Sequence, residues 1–484
     1  MPDATQGLEP ALVWKYFAEI ARIPRCSKHE ERMTAFVLAT AKRLGLEAKR
    51  DRVGNVAVKK PASPGKGRAK RIALQGHLDM VCEKNKGKAH DFSRDPIELV
   101  RKGDLLMANG TTLGADNGIA VATNLAIMED KTLVHGPLEL LFTVDEETGL
   151  TGAQYLQPDF LESRTLMNLD SEEEGSLYVG CSGGKDTTGT WAAPTDPAPR
   201  AFQAAHLMVS GLKGGHSGLE IHQGRGNAIK IVNRALLALD ALGARVATID
   251  GGNKRNAIPR ECEATVHVPA KGWDTAARAI AELEQLAKAE IGAVDPGLRV
   301  TLSPVTKQGG RVLRRAAQKK LLATISALPH GVIKMSADIP GLTETSTNVA
   351  VITTAKGKIT LATSQRSSVD SEIREICHTV RSIFELGGAS VVQGDGYPGW
   401  KPNLQSPILQ LAKRTYRELT GKEPEITAIH AGLECGIIGE RMPGMDMVSL
   451  GPTMEGVHSP DERIHIESVG KFWNFLLAIL KNVN

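Results

Sequence analysis

The sequence predicts an α/β fold, because apolar strand-like runs alternate with helical patterns and three of these runs end in polar segments. RIALQGHLDM ends on His77 and Asp79, and TLMNLDSEEEG ends on Asp170. Between them, LELLFTVDEETG ends on an acidic triplet that contains Glu146 and Glu147. Ligand sites of α/β sheets form beyond the carboxyl ends of the strands, which is where these side chains fall. We therefore expect a functional site there.

A loop and a helix are predicted between the first two strands. The glycine-rich NGTTLGADNG leads into the apolar IAVATNLAIM, so the helix is expected to start near Asp116. Near the end of the chain, a helical pattern in SPILQLAKRTYREL, an apolar strand in MDMVSL and an amphipathic helix in IESVGKFWNFLLAILKN resume this style.

The domain organisation is predicted from two joins. A chain of 484 residues exceeds the size of one hydrophobic core, so two domains or more are expected. TWAAPTDPAPR, after residue 186, has neither helical nor strand periodicity, and GDGYPGWKPN forms a second join near residue 397. We expect an α/β domain from residues 1–186 and 398–484, with an α+β lid inserted at 187–397. Helices in NAIKIVNRALLALDAL, DTAARAIAELEQLAKAEIGA and SEIREICHTVRSIFEL and a hairpin in NVAVITTAKGKITLATSQR are predicted within the lid.

The charge balance argues for a small partner. Lys and Arg number 59 and Asp and Glu 55, a formal net charge of +4, and the charges are interspersed. Nucleic-acid binding and membrane binding therefore have no electrostatic support. No apolar run reaches the roughly eighteen residues that a membrane helix needs.

The cysteines and the amino terminus favour a cytoplasmic location. The six cysteines are scattered without a CxxC pair, which is typical of reduced thiols in a large cytosolic protein. The segment MPDATQGLEPALVWKYF lacks the basic start and apolar run of a secretory signal.

Each candidate residue has an ordinary explanation when taken alone. His77 and Asp79 point to the same side of a strand, as structural His-Asp pairs also do. Asp116 is suited to be a helix N-cap, and His458, in GPTMEGVHSPDERIH, to be a solvated loop residue. The adjacent carboxylates of Glu146 and Glu147 are harder to explain, because burying them costs free energy unless cations compensate.

Taken together, two histidines and several carboxylates at separate strand ends predict a site for two divalent metal ions that share a bridging carboxylate. Such a site would lower the pKa of a bound water and polarise a carbonyl oxygen. Oxygen- and imidazole-rich ligands accept Zn, Co or Mn. The residues alone leave open which of Glu146 and Glu147 binds metal.

The segments GHLDMV, LGADNG, VDEETG, MNLDSEEEG and GVHSPDER, in this order, closely resemble the aminoacyl-histidine dipeptidases, also called Xaa-His or carnosine-type dipeptidases. HAGLECG and GGHSGLEIHQGRGNAI support the same branch. These enzymes belong to a larger group of di-zinc peptidases and deacylases. The resemblance covers almost the whole chain and implies an aminopeptidase-like catalytic domain with a mixed sheet flanked by helices, plus the inserted lid.

The resemblance also implies roles for the candidate residues. One metal ion would be bound by His77 and Asp170, the other by Glu147 and His458, and Asp116 would bridge the two. Glu146 would be the general base and acid. Asp79 would orient His77.

Further residues are implied in the lid and near its second join. His216, in GGHSG, matches a histidine that stabilises the oxyanion, in its own subunit or a partner's. Asn256 and Arg366 resemble substrate-binding residues, and the planar fork of Arg366 suits a terminal carboxylate. His430 and Glu434, in HAGLECG, are expected near the substrate without an assigned step.

The implied reaction is hydrolysis of dipeptides, preferentially Xaa-His such as β-alanyl-histidine, by a hydroxide that bridges two zinc ions. A homodimer is also implied. One alternative is an N-acyl amino acid deacylase on the same metal core, because fold and metals do not fix the acyl group. A non-catalytic binding protein is the other alternative, and the presence of all the expected residues argues against it.

Overall fold

The computed structural model describes residues 4–306 and 309–484. None of the helices in these two ranges combines the length and apolarity that a membrane crossing requires. The α-helices of the described residues are, in chain order, α1 (Ala11–Ile20), α2 (Glu31–Arg43), α3 (Ala115–Glu129), α4 (Glu146–Gly149), α5 (Thr151–Tyr155), α6 (Ala228–Ala241), α7 (Trp273–Ile291), α8 (Arg315–Ala327), α9 (Asp370–Leu386), α10 (Pro407–Thr420), α11 (Glu434–Arg441) and α12 (Ile466–Asn482).

The strands of the described residues are shorter and more numerous. In chain order they are β1 (Glu47–Arg50), β2 (Val56–Lys60), β3 (Ile72–His77), β4 (Leu99–Lys102), β5 (Leu105–Ala108), β6 (Leu138–Thr143), β7 (Thr165–Asn168), β8 (Ser176–Cys181), β9 (Gly183–Ala192), β10 (Thr195–Pro197), β11 (Phe202–Ser210), β12 (Gly215–His216), β13 (Arg245–Gly251), β14 (Ala257–Ile258), β15 (Cys262–Pro269), β16 (Arg299–Pro304), β17 (Arg311–Leu313), β18 (Gly331–Met335), β19 (Thr343–Ala355), β20 (Lys358–Ser367), β21 (Ser390–Gln393), β22 (Glu425–Ile429), β23 (Asp446–Ser449), β24 (Met454–Glu455) and β25 (Arg463–His465).

The chain divides into two compact units. The first comprises residues 1–180, 402–428 and 433–484, and the second comprises residues 181–401 and 429–432. The expected joins are at 186/187 and 397/398, whereas the units divide at 180/181 and 401/402, and residues 429–432 also belong to the second unit. The difference has a backbone cause, because Cys181 and Trp400 exchange two hydrogen bonds and Ser182 donates to the carbonyls of Ile429 and Ala431.

The first unit contains an eight-stranded mixed sheet with the order β1-β2-β6-β3-β7-β23-β8-β22. Its central strands β6, β3, β7 and β23 run parallel, whereas β1, β2 and β8 pair antiparallel with their neighbours. This mixed sheet with helices confirms the predicted α/β class. Helix α3 is buried along nearly its whole length, which its apolar sequence explains.

Local sequence signals account for several helix ends. The side chain of Asn227 caps α6 by accepting a hydrogen bond from the Lys230 N–H. Ser406 caps α10, which has proline in its first turn and ends at Gly421 in the left-handed conformation. These are the residues that N-caps, first turns and C-caps favour.

The second unit is built on a nine-stranded antiparallel sheet with the main order β16-β11-β15-β13-β19-β20-β9-β21 and with β18 beside β19. Helices α6, α7, α8 and α9 bury apolar faces in its core. The predicted hairpin is β19 and β20, paired from Thr345↔Ser367 to Ala355↔Lys358.

Two expectations were wrong. The segment TWAAPTDPAPR was expected to lack strand structure, but β9 extends to Ala192 between β20 and β21, and β10 follows it. Its prolines mark the strand end rather than a structureless join. The cysteines were expected to be reduced, but Cys26 and Cys82 form a disulfide across a sequence separation of 56 residues. A backbone bridge between Cys26 and Met80 brings the two segments together.

Candidate active site

The parallel register of the central strands places the predicted strand-end residues at one edge of the sheet. His77, the last residue of β3, pairs with Thr143, the last residue of β6, and Gln75 pairs with Asn168, the last residue of β7. The acidic triplet that begins at Asp145 and the carboxylate of Asp170 follow β6 and β7 directly. The acidic residues that follow these strands in the sequence therefore lie close together in space.

Two groups of side chains meet at Asp116. On one side, Nε2 of His77 lies 3.1 Å from Asp116 Oδ1 and 3.4 Å from Asp170 Oδ1. On the other side, Nε2 of His458 lies 3.0 Å from Asp116 Oδ2 and 2.9 Å from Glu147 Oε2. Within each group of three, the ligand atoms all lie within 4.8 Å of one another. Asp116 thus offers one oxygen to each group.

These donors suit a divalent metal ion. Around a tetrahedral zinc ion with bonds of 2.0 to 2.1 Å, neighbouring ligand atoms lie about 3.3 Å apart, close to the spacings found here. Glu147 Oε1 is buried and accepts no hydrogen bond from the described residues. Imidazole and carboxylate donors, with an unsatisfied buried oxygen among them, are the set expected for a divalent cation such as zinc.

The electrostatics of the cluster point the same way. Hydrogen bonds that the His458 ring donates to Asp116 and Glu147 raise the pKa of His458 to about 11. Burial, with Asp116 and Glu147 nearby, raises the pKa of Asp170 to about 6 although His77 opposes this. In the absence of metal the cluster therefore holds protons that a divalent cation would replace.

The carboxylate of Asp79 is fully buried behind His77. Its Oδ1 lies 3.3 Å from His77 Nδ1, and its oxygens accept hydrogen bonds from the N–H groups of Glu146 and Glu147 and from the Ser27 hydroxyl. Burial alone would raise the pKa of Asp79, but His77 and these donors lower it overall. A carboxylate in this position fixes the ring orientation of a metal-binding histidine.

Glu146 and Glu147 start α4, after Asp145 in the left-handed conformation at φ 50°. Glu147 contacts His458. Glu146 forms a separate group with His77 and Glu147, in which the possible ligand atoms all lie within 4.8 Å of one another. Burial raises the pKa of Glu146 well above its ordinary value, His77 opposes this, and neighbouring carboxylates including Glu434 add to it.

Glu434, the first residue of α11, lies close to this cluster. Its Oε2 accepts hydrogen bonds of 2.6 Å from Gln75 Nε2 and from Thr143 Oγ1. Its Oε1 is buried and accepts none from the described residues. Burial, opposed by His77, raises the pKa of Glu434 to about 7.

The remaining predicted residues belong to the second unit. The ring Nδ1 of His216 accepts hydrogen bonds from the N–H groups of Gly218 and Leu219, so the proton of the neutral ring lies on Nε2. His216 and Asn256 line a cavity of about 720 Å³, and the Asn256 carbonyl accepts from the Ser217 N–H.

Arg366 and His430 lie in the same charged neighbourhood as His216. Arg366 donates to the Tyr397 hydroxyl at 2.9 Å, and His430 Nε2 lies 2.7 Å from Ser346 Oγ. Burial, followed by the positive charge of Arg366, lowers the pKa of His430 to about 3. His430 is therefore a neutral ring at physiological pH.

Sequence reasoning missed two buried charged residues of the first unit, Arg25 and Glu462. Glu462 accepts hydrogen bonds from four N–H groups of the segment that ends at Asp116. Arg25 donates to backbone carbonyls next to the cluster. Glu462 lies in the same GVHSPDER segment as His458, which is a signal that could have drawn attention to it.

The chain is similar to known proteins in both sequence and fold. The sequence profile of peptidase family M20/M25/M40 matches residues 73–482. The cytosol non-specific dipeptidase of Escherichia coli K12 is 42% identical over 477 residues, 98% of each chain. The crystal structure of aminoacylhistidine dipeptidase from Vibrio alginolyticus is 42% identical with a TM-score of 0.91 and covers 99% of this chain and 98% of its own.

The likeness to the Vibrio structure confirms the fold implied by the sequence resemblance. A more distant structure, the aminopeptidase PepT from Bacillus cereus, is 16% identical with a TM-score of 0.56 and covers 98% of this chain and 99% of its own. At that level of identity the likeness concerns the fold alone.

Proposed function

Because the chain belongs to peptidase family M20/M25/M40, we propose that it is a metal-dependent dipeptidase that prefers Xaa-His dipeptides such as β-alanyl-histidine. The observation that carries this proposal is the pair of histidine-carboxylate groups that share Asp116. Two relatives at 42% identity, both named as dipeptidases, support the substrate class.

The proposed metal centre holds two divalent ions, zinc by preference, although Co²⁺ or Mn²⁺ also suits the donors. His77 and Asp170 would bind one ion, Glu147 and His458 the other, and Asp116 would bridge them. When bound, the ions would polarise the scissile carbonyl and lower the pKa of water at the site.

Glu146 is the proposed general base and acid. It is not needed as a ligand in either of the groups that share Asp116, and its buried carboxylate binds a proton readily. In this role it takes a proton from the attacking water and passes it to the leaving nitrogen. Asp79 keeps His77 oriented while the charge of the site changes.

The ends of a dipeptide carry opposite charges, and the chain offers a partner for each. Glu434 Oε1, buried and without a hydrogen-bond donor among the described residues, suits the substrate's free amino group. Arg366 suits its terminal carboxylate. The Nε2–H of His216 suits the oxyanion, and Asn256 and His430 are further proposed substrate residues.

The first experiment is hydrolysis of a panel of dipeptides, including β-alanyl-histidine, alanyl-histidine and leucyl-glycine, beside an N-acetyl amino acid. Cleavage of the histidine-ending peptides that stops on chelation and returns with zinc is the expected result. Glu146→Gln should lower kcat by about 10² to 10⁴-fold while metal binding persists. If only the acetylated substrate were cleaved, the chain would be assigned as a deacylase and the dipeptidase proposal would be wrong.

A homodimer is proposed as the working assembly, and His216 allows its role to be tested. Sedimentation velocity gives the oligomeric state of the purified chain. Mixing of subunits carrying His216→Ala with subunits carrying Glu146→Gln should restore activity if His216 acts on the partner's centre. Mixtures that remain inactive would assign His216 to its own subunit.

A cytoplasmic location is proposed because the Escherichia coli relative is named for the cytosol. The disulfide between Cys26 and Cys82 is uncommon in that compartment. Thiol alkylation of cells before lysis, read by mass spectrometry, measures how much of the pair is oxidised. Cell fractionation of the same culture tests the location itself.

A further inference from the structure

The Glu462 carboxylate accepts hydrogen bonds from the backbone N–H groups at the start of the buried helix α3. Its Oε2 accepts hydrogen bonds from the N–H groups of Leu113 at 2.7 Å and Gly114 at 2.9 Å. Its Oε1 accepts from Ala115 at 2.7 Å and Asp116 at 3.2 Å. Helix starts leave such donors unpaired, and a negative charge there is favourable. One side chain thus accepts hydrogen bonds from four consecutive N–H groups of the segment that carries the proposed bridging carboxylate.

Arg25 ties the same segment to the turn that follows β3. One nitrogen of its guanidinium, Nη1, donates to the carbonyls of Leu78 at 3.1 Å and Asp79 at 2.7 Å, and Nη2 donates to the carbonyl of Gly114. Only 3% of Arg25 and 2% of Glu462 are exposed. The planar guanidinium therefore fixes the distance between the two turns from which the proposed ligands project.

The charges of these two residues are used by neither the proposed chemistry nor the proposed ligand set. Burial lowers the pKa of Arg25, and the nearby carboxylate of Glu462 opposes this effect. Buried charges contribute little net stability compared with apolar packing. The hydrogen bonds of Arg25 and Glu462 described above go to backbone next to proposed metal-binding positions and indicate a geometric role instead.

We propose that Glu462 and Arg25 are positioning residues that hold His77 and Asp116 at the separation needed to share one metal ion. His77 Nε2 and Asp116 Oδ1 are 3.1 Å apart in the arrangement they support. Residues behind metal ligands act in this way when they lock the backbone and rotamers of the ligands. The inference rests on the metal centre of the proposed function.

The test compares Glu462→Gln with Glu139→Gln in the full-length chain. Glu139 is also fully buried in the first unit and accepts hydrogen bonds from the N–H groups of Glu162 and Ser163. It lies in β6 four residues before Thr143, the strand end. Both amides should weaken the fold, because a side-chain NH₂ then faces backbone N–H groups.

Only Glu462→Gln should change the metal site. Metal-stripped protein is titrated with zinc in competition with a chromophoric chelator, and the absorption spectrum of the Co²⁺ form reports ligand geometry. We expect about a 10- to 100-fold loss of zinc affinity and an altered Co²⁺ spectrum in Glu462→Gln. Glu139→Gln should match the wild type in both measurements despite a lower thermal midpoint.

Arg25→Lys is the second variant and covers the case in which Glu462→Gln does not fold. Lysine carries one ammonium group and cannot span the carbonyls that the guanidinium joins, so zinc affinity should fall here too. If either variant folds and keeps the zinc affinity and the Co²⁺ spectrum of the wild type, the role proposed for that residue is overturned. A wild-type chain that binds no metal would overturn the proposed metal centre itself, which is a separate outcome.

Discussion

At the residue scale, the Asp79 carboxylate shows why a buried charge is retained beside the proposed metal ligands. Its two oxygens accept hydrogen bonds from the N–H groups of Glu146 and Glu147, and it faces Nδ1 of His77. One carboxylate therefore orients the imidazole of one proposed ligand and the backbone of the proposed base. An amide in this position could not accept on both sides.

Asp79→Asn is expected to lower kcat/KM about 10- to 100-fold on β-alanyl-histidine, because it loses the charge and one acceptor that orient His77. The measurement is steady-state hydrolysis with metal content determined in parallel. Asp51→Asn is the matched control, since Asp51 Oδ1 accepts hydrogen bonds from three backbone N–H groups of its own turn. Equal activity losses in both variants would mean that Asp79 acts through general stability.

Four of the five proposed ligands could be singled out from the sequence, because each follows an apolar strand or opens a helix after glycines. His458 lies in a loop, and its role was implied by the family resemblance alone. The sequence could not predict the roles of Arg25 and Glu462. Their hydrogen bonds join backbone groups that are distant in sequence, and such contacts leave no local sequence pattern. The disulfide between Cys26 and Cys82 was missed for a similar reason. Pairing across 56 residues is decided by the tertiary fold.

At the element scale, β3 and α3 pack so closely that only glycine fits at the contact. A Cβ atom on Gly76 would lie 2.5 Å from Asn117 Oδ1 and 2.8 Å from Ala120 Cβ. The Asn117 amide oxygen accepts the N–H of His77 and its nitrogen donates to the Leu169 carbonyl. The close approach therefore also links the strand that carries His77 to the helix that carries Asp116.

Gly76→Ala is expected to destabilise the chain by about 1 to 3 kcal/mol through overpacking and to weaken zinc binding. Denaturant unfolding and zinc titration measure the two effects. Gly67→Ala, where the added Cβ meets nothing within 4 Å, is the control and should leave both values unchanged. Unaltered metal affinity in a destabilised Gly76→Ala protein would separate the packing of α3 from the metal site.

His330, between α8 and β18, lies beside the start of α6 in the second unit, and its protonation should oppose folding. Nδ1 of His330 lies 3.3 Å from the capping Asn227 amide nitrogen and accepts the Val349 N–H at 3.4 Å. Burial, and then the charge of Lys230, lowers the pKa of His330 to about 4. The folded chain thus holds the ring neutral, with Nδ1 as an acceptor.

Because the pKa of His330 is lower in the folded state, its contribution to stability is complete above pH 6.5 and is lost as the pH falls toward 4. The contribution is at most about 3 kcal/mol. His330→Asn keeps an acceptor that does not titrate, so its unfolding free energy should fall less steeply than that of the wild type in this window. Parallel pH profiles would show that His330 does not titrate there.

Helices were predicted well because their apolar residues recur at helical spacing over a dozen residues or more, as in α7, α9 and α12. The strand that ends at Ala192 was not, because Gly183–Ala192 is rich in glycine and threonine and is followed by prolines. Its strand state comes from pairing with β20 on one side and β21 on the other. Such tertiary pairing overrides weak local preference.

At the scale of the whole molecule, each unit carries its own apolar core. The proposed metal ligands all belong to the first unit, and the core of the second unit is formed by its own sheet and helices. Within residues 4–306 and 309–484, the groups of His, Asp and Glu side chains that could hold a metal ion all lie in the first unit. Loss of metal should weaken the two units unequally.

Chelation is expected to lower the stability of the first unit selectively. A ligand present at 1,000 times its dissociation constant stabilises the folded state by about 4 kcal/mol, and this stabilisation is lost when the metal is removed. Hydrogen exchange read by mass spectrometry should show faster exchange in β3 and α3, whereas α7 and α9 of the second unit keep their protection.

Glu147→Gln in excess zinc provides the control for effects of the chelator itself. This variant loses a proposed ligand and should show the same pattern of exchange as the chelated wild type, in β3 and α3 rather than in α7 and α9. Faster exchange spread evenly over both units would contradict the expected confinement, and the metal centre would then stabilise the chain as one cooperative body. Unchanged exchange after verified metal removal would mean that the carboxylates of the cluster are compensated by protonation instead, as the raised pKa of Asp170 allows.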